Sequence, residues 1–383
     1  MRILYDHQIF AIQDFGGISR CFVELCRNLP KEINATISLK ESDNVYIKEM
    51  NMAGIRPKRD GINHFISRHH FPGKWHLYLW YNKIRKYKDH PDYNLNHSIE
   101  EIEKGEFDIF HPTFYNDYFL PYLKGKPFVL TIHDMTPELY PQYFKCDDYQ
   151  IIMKRKLASL ANAIVAVSEN TKQDIIRILG VPEEKIHVVY HGCSLPVSNE
   201  VSSPFRFPYI LYIGDRRGYK NFITFVRQIA PLLKQHKELH VVCTGHPFND
   251  SEKRMFQEYG VNKLFINSWA KTDAELFNLY HHAQCFVYPS DYEGFGIPIL
   301  EAYQADCPVL LNQASCFPEI AKDAAIYFKI NSPNNDLTEK IENILSMSSN
   351  ERASLLSKQR TRLADFSWEK SAQRLTQIYN SII

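Results

Sequence analysis

The chain has 383 residues, which is long for one hydrophobic core and suits two domains of ordinary size. Hydrophobic residues make up 44% and charged residues 23%, the range of soluble globular proteins. Lysine and arginine number 45 against 44 aspartate and glutamate, so a formal net charge of +1 gives no bulk attraction to nucleic acid or acidic lipid. Local charged patches remain open.

Targeting and redox signals are sparse. The N-terminus MRILYDHQIF lacks the pattern of a signal peptide, and no apolar run approaches the ~20 residues of a membrane-spanning helix. The eight cysteines are scattered without a C-x-x-C pair, which favours reduced thiols over a disulfide framework. We therefore expect a cytoplasmic protein.

Short apolar runs alternate with helical patterns along the chain. The runs are continuous rather than alternating and rich in β-branched and aromatic residues, which is typical of strands buried on both faces of a parallel sheet. Strands are predicted at 2–6, 107–112, 127–134, 163–168, 186–192, 209–215, 239–245, 285–290 and 308–312. Helices are predicted at 149–161, 170–179, 221–235 and 272–283. This alternation predicts an α/β fold with open parallel sheets.

The Ser- and Pro-rich segment CSLPVSNEVSSPFRF is the best candidate for a domain boundary. We predict a first α/β domain at 1–192, a linker at 193–207 and a second α/β domain at 208–365. The remaining segment, 366–383, is predicted to form a final amphipathic helix.

The stretch SDYEGFGIPILEAY follows the strand predicted at 285–290. Seven residues separate Glu293 from Glu301, and Gly294 and Gly296 lie between them. Loops at the carboxyl ends of parallel strands bind ligands, and glycines there let a ligand approach the backbone. The residues alone leave two interpretations open, namely a ligand-binding loop or a plain turn followed by a solvated Glu301.

EGFGIPILEA closely resembles the E-x7-E motif of retaining glycosyltransferases of family 4, and the order of elements agrees across most of the chain. The resemblance implies the GT-B fold, in which two Rossmann-like domains with open parallel sheets face a central cleft. It implies that Glu301 binds the ribose hydroxyls of a nucleotide sugar and that Glu293 lies beside the donor sugar. It also implies backbone contacts to sugar and phosphate from Gly294, Phe295, Gly296 and Ile297. Asp306 departs from the family, which often has glycine there.

A second loop, YIGDRRGYKNF, places Arg216, Arg217 and Lys220 after the strand at 209–215. The sequence contains no Asp-x-Asp pair, so no metal site is expected, and cationic side chains would stabilise a diphosphate leaving group instead. The loop resembles the diphosphate-binding segment of the family, which implies this role for Lys220 and for one arginine, with Arg216 favoured over Arg217. A solvated surface loop is the alternative.

The first half contains two further resemblances. The segment QDFGGIS, with Gly16 and Gly17, resembles the glycine loop over the donor phosphates, although a simple turn accounts for the residues equally well. A lone histidine at a strand end is more often structural, but His133 resembles a histidine that commonly contacts the donor sugar in the family. Its neighbour Asp134 either orients it or holds the turn. The aromatic and basic stretch 69–88 suits ordinary helix packing, a carbohydrate acceptor or a membrane interface.

Together these features predict a retaining glycosyltransferase. It would move a hexosyl group, with mannosyl favoured, from a nucleotide diphosphate sugar to a saccharide or lipid-linked saccharide acceptor in the biosynthesis of a surface polysaccharide such as lipopolysaccharide. GDP-mannose is favoured over UDP-sugars as co-substrate, with no cofactor or metal and no nucleic-acid partner. Peripheral contact with the inner face of the plasma membrane is left open. A sugar-nucleotide epimerase of the same fold and a non-catalytic sugar-nucleotide-binding protein are the alternatives.

Overall fold

The computed structural model describes residues 1–50, 74, 77, 93–144, 149–197, 202–333 and 335–383. The stretch 69–88 lies outside the described residues except for Lys74 and Leu77. Backbone contacts divide the chain into two compact units, one of Met1–Thr131 with Tyr379–Ile383 and one of Ile132–Ile378. The domain boundaries given by the sequence stay a prediction beside this division.

The first unit is built on a small parallel sheet. Strand β1 (Arg2–Tyr5) lies between β2 (Asn34–Ile37) and β3 (Ile109–His111). Among the described residues of this unit, the named helices are α1 (Gln8–Ile12), α2 (Gly17–Asn28), α3 (Val45–Glu49) and α4 (Tyr93–Lys104).

The C-terminal end of the chain is counted with this first unit. The Tyr379 hydroxyl lies 2.7 Å from the Tyr5 hydroxyl and 2.6 Å from His111 Nδ1. All three side chains are buried, so this hydrogen-bonded group satisfies polar atoms that would otherwise lose water inside an apolar core.

A second three-stranded sheet has the order β4 (Val129–Ile132), β5 (Ala163–Ala166) and β6 (Ile186–Val188). The helices that follow its first two strands are α5 (Thr136–Leu139), α6 (Tyr149–Leu160) and α7 (Glu169–Leu179). Strands β4 and β5 are buried along their whole length, as the continuous apolar runs predict.

The largest sheet has six parallel strands in the order β12-β11-β10-β7-β8-β9. In chain order the strands are β7 (Tyr209–Ile213), β8 (His240–Thr244), β9 (Phe265–Asn267), β10 (Cys285–Tyr288), β11 (Val309–Asn312) and β12 (Ile326–Phe328). The helices are α8 (Phe222–Gln235), α9 (Asp250–Glu258), α10 (Asp273–His281), α11 (Ile297–Gln304), α12 (Phe317–Ala321), α13 (Leu337–Leu345), α14 (Ser349–Leu363) and α15 (Trp368–Ser381).

Alternate residues of the central strands enter two different apolar clusters. Tyr209 and Leu211 of β7 belong to one cluster, whereas Ile210 and Tyr212 belong to the other. Because successive side chains of a strand point to opposite faces, helices cover the sheet on both sides. The predicted α/β class with parallel sheets is therefore confirmed.

All nine predicted strands are present, and the described residues contain three further strands that were not predicted. The missed strands are β2, β9 and β12, and each lies at the edge of its sheet. They are only three or four residues long and partly exposed, as in the alternately exposed NATI of β2. Such edge strands lack the continuous apolar run by which the buried strands were found.

Asp306 stands in a turn with φ +54°, the left-handed region that glycine adopts most easily. Its carboxylate accepts two hydrogen bonds of 2.7 Å from Nε and Nη2 of Arg360 in α14. Where the family often has glycine, Asp306 therefore adopts an unfavourable backbone conformation, and its carboxylate pairs with Arg360 at the surface.

In the described part of the chain, no helix is both long enough and apolar enough to cross a membrane.

A buried ion pair ties α6 to the segment after β4. The Lys154 and Glu138 side chains are 1% and 3% exposed, and Lys154 Nζ lies 3.0 Å from Glu138 Oε2. The same ammonium donates to the Asp134 carbonyl at 3.0 Å. This contact fixes the backbone next to His133.

We expect Lys154→Met to lower the free energy of unfolding by about 3–5 kcal/mol, because it leaves a buried carboxylate without its cation. The double substitution Lys154→Met with Glu138→Leu should recover most of that loss. Urea unfolding measures both. Lys172→Met is the matched control, since Lys172 pairs at 3.0 Å with Glu183, which is 67% exposed, and should cost less than about 1 kcal/mol. A Lys154→Met loss no larger than the control's would contradict the argument.

Candidate functional site

The strand order of the large sheet reverses between β7 and β10. From β7 the chain proceeds through β8 and β9 to one edge, and from β10 through β11 and β12 to the other. Loops that diverge in this way leave a crevice outside the carboxyl ends of the strands, where open α/β sheets bind ligands. The loop after β7 carries Lys220, and the loop after β10 carries Glu293.

These two side chains form an ion pair at the crevice. Lys220 Nζ lies 2.5 Å from Glu293 Oε1, and both side chains are mostly buried. Burial alone would lower the pKa of Lys220, but the Glu293 carboxylate outweighs it, and the pKa ends above its usual value. The ammonium therefore stays charged at neutral pH.

A buried tyrosine lies beside each of the two glutamates. Tyr288 is the last residue of β10 and lies next to the Glu293 carboxylate, and Tyr280 of α10 donates to Glu301 Oε2 at 3.0 Å. Burial and the adjacent carboxylate raise the pKa of both tyrosines far above the usual range, so both hydroxyls keep their protons. Glu301 is only 7% exposed, so the interpretation of it as a solvated helix residue is wrong.

Sequence reasoning did not identify these tyrosines. Tyr280 precedes Glu301 by 21 positions, and the contact exists only once α10 and α11 lie side by side. Tyr288 reads as an ordinary strand residue in CFVY, with no pattern that marks it as a partner of Glu293.

Gly294 lies in close contact with the end of β4. A Cβ built on it would lie 1.7 Å from the carbonyl oxygen of His133, which is far inside van der Waals contact. The Gly294 carbonyl accepts hydrogen bonds from the hydroxyls of Ser168 at 2.6 Å and Thr171 at 3.2 Å. Glycine is required here by this close approach, and the loop backbone is held on two sides.

The next three residues lead into α11. Phe295 is buried with its ring edge-on to His191, at 4.9 Å between centroids, so its side chain serves packing. Gly296 has φ +92°, which side-chain-bearing residues rarely adopt. Ile297 then begins α11, where the first N–H groups of a helix can bind an anion.

His133 is buried beside His191, with stacked rings 6.0 Å apart between centroids. Burial, together with the charge of Lys154, lowers the pKa of His133 to about 3. Burial, together with His133, lowers the pKa of His191 to about 3 as well. At neutral pH His133 is therefore an uncharged hydrogen-bonding group. Asp134 holds the turn, since its Oδ1 accepts from the Thr136 N–H at 3.0 Å.

The two arginines of the β7 loop have different environments. Arg216 is 8% exposed and its Nε donates to Glu252 Oε1 at 2.7 Å, while Nη2 donates to the His246 carbonyl at 2.8 Å. Its Nη1 lies toward the end of β8, 3.8 Å from a Cβ built on Gly245. Arg217 is 87% exposed and pairs with Asp215.

Gly16 and Gly17 lie in the first unit, immediately before and at the start of α2. Gly16 is extended, with φ 164°, so its backbone conformation does not require glycine. A Cβ built on it would meet the end of the Gln13 side chain at 2.6 Å, and that side chain can rotate away. The donor contact implied for both glycines stays a prediction.

Among the residues that the structure describes, no group of three or more histidine, cysteine, aspartate or glutamate side chains could hold a metal ion. The Lys220–Glu293 pair lies at the crevice, and Glu301 follows Glu293 in the sequence, on α11.

Comparison with solved structures identifies the architecture. A glycosyltransferase from Rickettsia africae ESF-5 superposes with a TM-score of 0.68 at 17% identity, covering 100% of this chain and 98% of that one. An Anabaena protein, HepE, solved with UDP and glucose, superposes with a TM-score of 0.70 at 13% identity, covering 99% of each chain. The fold is the GT-B fold of glycosyltransferases, as the sequence predicts.

Two family models cover most of the sequence. "Glycosyltransferase Family 4" matches residues 15–195, and "Glycosyl transferases group 1" matches residues 198–362. The chain belongs to the family 4 glycosyltransferases.

Two curated relatives are mannosyltransferases by name. The O-antigen chain mannosyltransferase B of Escherichia coli is 30% identical over 235 residues, which cover 57% of this chain and 60% of the relative. The O-antigen chain mannosyltransferase RfbU of Salmonella typhimurium is 27% identical over 208 residues, which cover 54% of this chain and 58% of the relative. The matches span less than two thirds of either relative's own length.

We expect Gly294→Ala to destabilise the protein by more than about 2 kcal/mol and to displace the β10 loop, because its methyl group would overlap the His133 carbonyl. Gly180→Ala is the control, since it has a positive φ of +69° but no atom within 4 Å of its Cβ position. That control should cost about 1–2 kcal/mol of backbone strain. Thermal and urea unfolding compare the two, and equal losses would contradict the close approach.

Stability should fall as the pH drops from 6.5 toward 3. Unfolded histidine takes up a proton near 6.5, whereas folded His133 and His191 resist protonation down to about 3, so the unfolded state binds more protons in this window. Each such histidine contributes a slope of up to about 1.4 kcal/mol per pH unit. His191→Phe should reduce the slope measured by urea unfolding between pH 6 and 5. An unchanged slope would contradict the buried neutral state.

Proposed function

We propose that this chain is a retaining hexosyltransferase, with mannosyl as the favoured group. It transfers the sugar from a nucleotide diphosphate donor to a saccharide or lipid-linked saccharide acceptor during assembly of a surface polysaccharide. The observation that carries the proposal is the Lys220–Glu293 ion pair at the switch point of the large sheet. The names of the two bacterial relatives support the mannosyl group and the polysaccharide setting.

Glu301 would bind the ribose of the donor. A carboxylate can accept hydrogen bonds from both hydroxyls of a vicinal diol. Tyr280 fixes Oε2 of this carboxylate, which sets its orientation before a nucleotide arrives. This fixed orientation of the carboxylate supports a recognition role for Glu301.

Lys220 and Arg216 would stabilise the diphosphate. Lys220 keeps its charge because Glu293 holds its pKa high. Arg216 is oriented by Glu252 and directs Nη1 toward the end of β8. These cations would offset the negative charge that develops on the leaving group, a stabilisation worth about 3–4 kcal/mol for one well-placed group.

The donor sugar would lie between Glu293 and His133, with the backbone from Gly294 to Ile297 contacting sugar and phosphate. His133 is neutral near pH 7, so it would position hydroxyls by hydrogen bonding rather than by charge. The proposed reaction is a front-side displacement in which the departing diphosphate oxygen removes the proton of the acceptor hydroxyl. The sugar's bond to diphosphate breaks as its bond to the acceptor oxygen forms, and no side chain acts as nucleophile.

The finer assignments are part of the proposal. GDP-mannose is favoured over UDP-sugars, and the protein's own cations serve the leaving group without a metal ion. The protein would act in the cytoplasm, with peripheral contact at the inner face of the plasma membrane when the acceptor is lipid-linked.

A donor screen followed by site variants tests this function. Thermal-shift measurements with GDP, UDP and their sugars identify the base, and labelled nucleotide sugars then report product. We expect Lys220→Ala to lower turnover about 100- to 1,000-fold. Glu301→Ala should weaken donor binding about tenfold or more, because a hydrogen-bonded charged group is lost. Arg216→Ala should reduce turnover, and the exposed Arg217→Ala should stay within about twofold of wild type.

Other outcomes would contradict specific parts of the proposal. An altered sugar still attached to its nucleotide would mean epimerisation, and binding without turnover would mean a non-catalytic module. A loss in Arg217→Ala but not in Arg216→Ala would transfer the diphosphate role to Arg217. Unchanged donor affinity and turnover in both Lys220→Ala and Glu301→Ala would sink the site assignment.

A further inference from the structure

Tyrosines gather beside the Lys220–Glu293 pair, and the proposed donor contacts do not use them. Tyr140 lies 5.4 Å from Tyr219 and 6.4 Å from Tyr143 between ring centroids, and Tyr143 lies 6.3 Å from Tyr219. We call these three residues the tyrosine patch. All belong to the second unit, and Lys220 Nζ lies 5.1 Å from the centre of the Tyr219 ring.

The tyrosine patch packs on the buried Tyr292 on one side and is exposed to solvent. Tyr292 is buried, with its ring 6.1 Å from that of Tyr140, and its hydroxyl donates to Asp174 Oδ2 at 2.9 Å. Tyr143 is 50% exposed, and the other two patch residues are half-buried. Aromatic side chains normally bury most of their area, so three neighbouring tyrosine rings that remain partly exposed over the buried Tyr292 are unusual.

The backbone of the β7 loop fixes the tyrosine patch next to the cation. Gly218 has φ +41°, and a Cβ built on it would lie 2.6 Å from the ring carbons of Tyr143. The ring of Tyr143 therefore lies directly on the loop that carries Lys220, two residues later. Any side chain at Gly218 would displace the ring.

The chemistry around the patch suits a neutral ligand rich in hydroxyl groups. Burial, followed by the Asp291 and Asp174 carboxylates, raises the pKa of Tyr140. Burial and the carboxylates of Glu293 and Asp134 raise the pKa of Tyr219 against the opposing charge of Lys220. The patch thus offers apolar ring faces and protonated hydroxyls. The nearby carboxylates disfavour the binding of an anion on these rings.

A pyranose ring matches this surface. It presents C–H groups on its faces, which contact aromatic rings, and hydroxyls around its rim, which bond to tyrosine hydroxyls and carboxylates. A phosphate or other anion placed over Tyr140 would be repelled by the Asp291 and Asp174 carboxylates.

We propose that the tyrosine patch of Tyr140, Tyr143 and Tyr219 binds a pyranose residue of a neutral saccharide and serves as the acceptor subsite. The naming of this saccharide as the acceptor rests on the proposed function, whereas the binding of a saccharide at the patch does not.

Saccharide binding without donor tests the proposal. Saturation-transfer NMR titrations use methyl α-D-mannopyranoside and methyl α-D-glucopyranoside with the full chain. Wild-type protein should bind at least one of them, and Tyr143→Ala should weaken that binding at least about fivefold. Tyr149→Ala is the matched control, because Tyr149 is 49% exposed and lies outside the patch. Tyr143→Leu keeps an apolar side chain over Gly218 and serves as a second variant in case Tyr143→Ala fails to fold. Thermal unfolding measures whether each variant is folded.

The outcomes separate this proposal from the proposed function. No saccharide binding by wild type, or equal affinities in both Tyr143 variants and wild type, would overturn the subsite. A loss of GDP and UDP affinity in the Tyr143 variants would also overturn it, since the patch would then belong to the donor. A raised acceptor KM with unchanged donor affinity supports it. Saccharide binding that depends on Tyr143 in a protein that transfers no sugar would uphold the patch and refute the transferase.

Discussion

The Lys220–Glu293 ion pair is the interaction on which the rest of the site depends. It joins the loops after β7 and β10, the two strands between which the sheet order reverses. Two mostly buried charges cost several kcal/mol to remove from water, and their short contact offsets that cost. The paired state is nearly neutral, so the crevice is stable without a ligand. A diphosphate bound as proposed would compete with the Glu293 carboxylate for the Lys220 ammonium.

Supporting side chains come from elements far away in the sequence. Tyr280 orients Glu301, Ser168 and Thr171 hold the Gly294 carbonyl, and Lys154 holds the backbone beside His133. None of these groups needs to contact the nucleotide sugar in order to influence the proposed site. Each holds one group of the proposed site in place, and charges and dipoles that are fixed in advance stabilise developing charge most effectively.

The sequence predicts those parts of the site that depend on neighbours along the chain. Lys220, Glu293 and Glu301 follow buried strands whose apolar runs are continuous, and the glycines between the glutamates mark close backbone approach. Pairing across the fold is not visible in this way. Nothing in the sequence connects Arg216 with Glu252, which is 36 positions away, and the short edge strands β2, β9 and β12 carry no strong apolar signal. Such contacts appear only when register and helix packing are known.

The close approach of Gly294 to β4 has a consequence for how this loop can change. The β10 loop is shaped by a carbonyl from the end of β4 and by two hydroxyls at the start of α7, so it is not an independent cassette. A chimera that carried EGFGIPILEA alone into another sheet would lack the carbonyl and the two hydroxyls that fix the conformation of this loop. The path of the β10 loop therefore depends on segments more than 120 positions upstream in the chain.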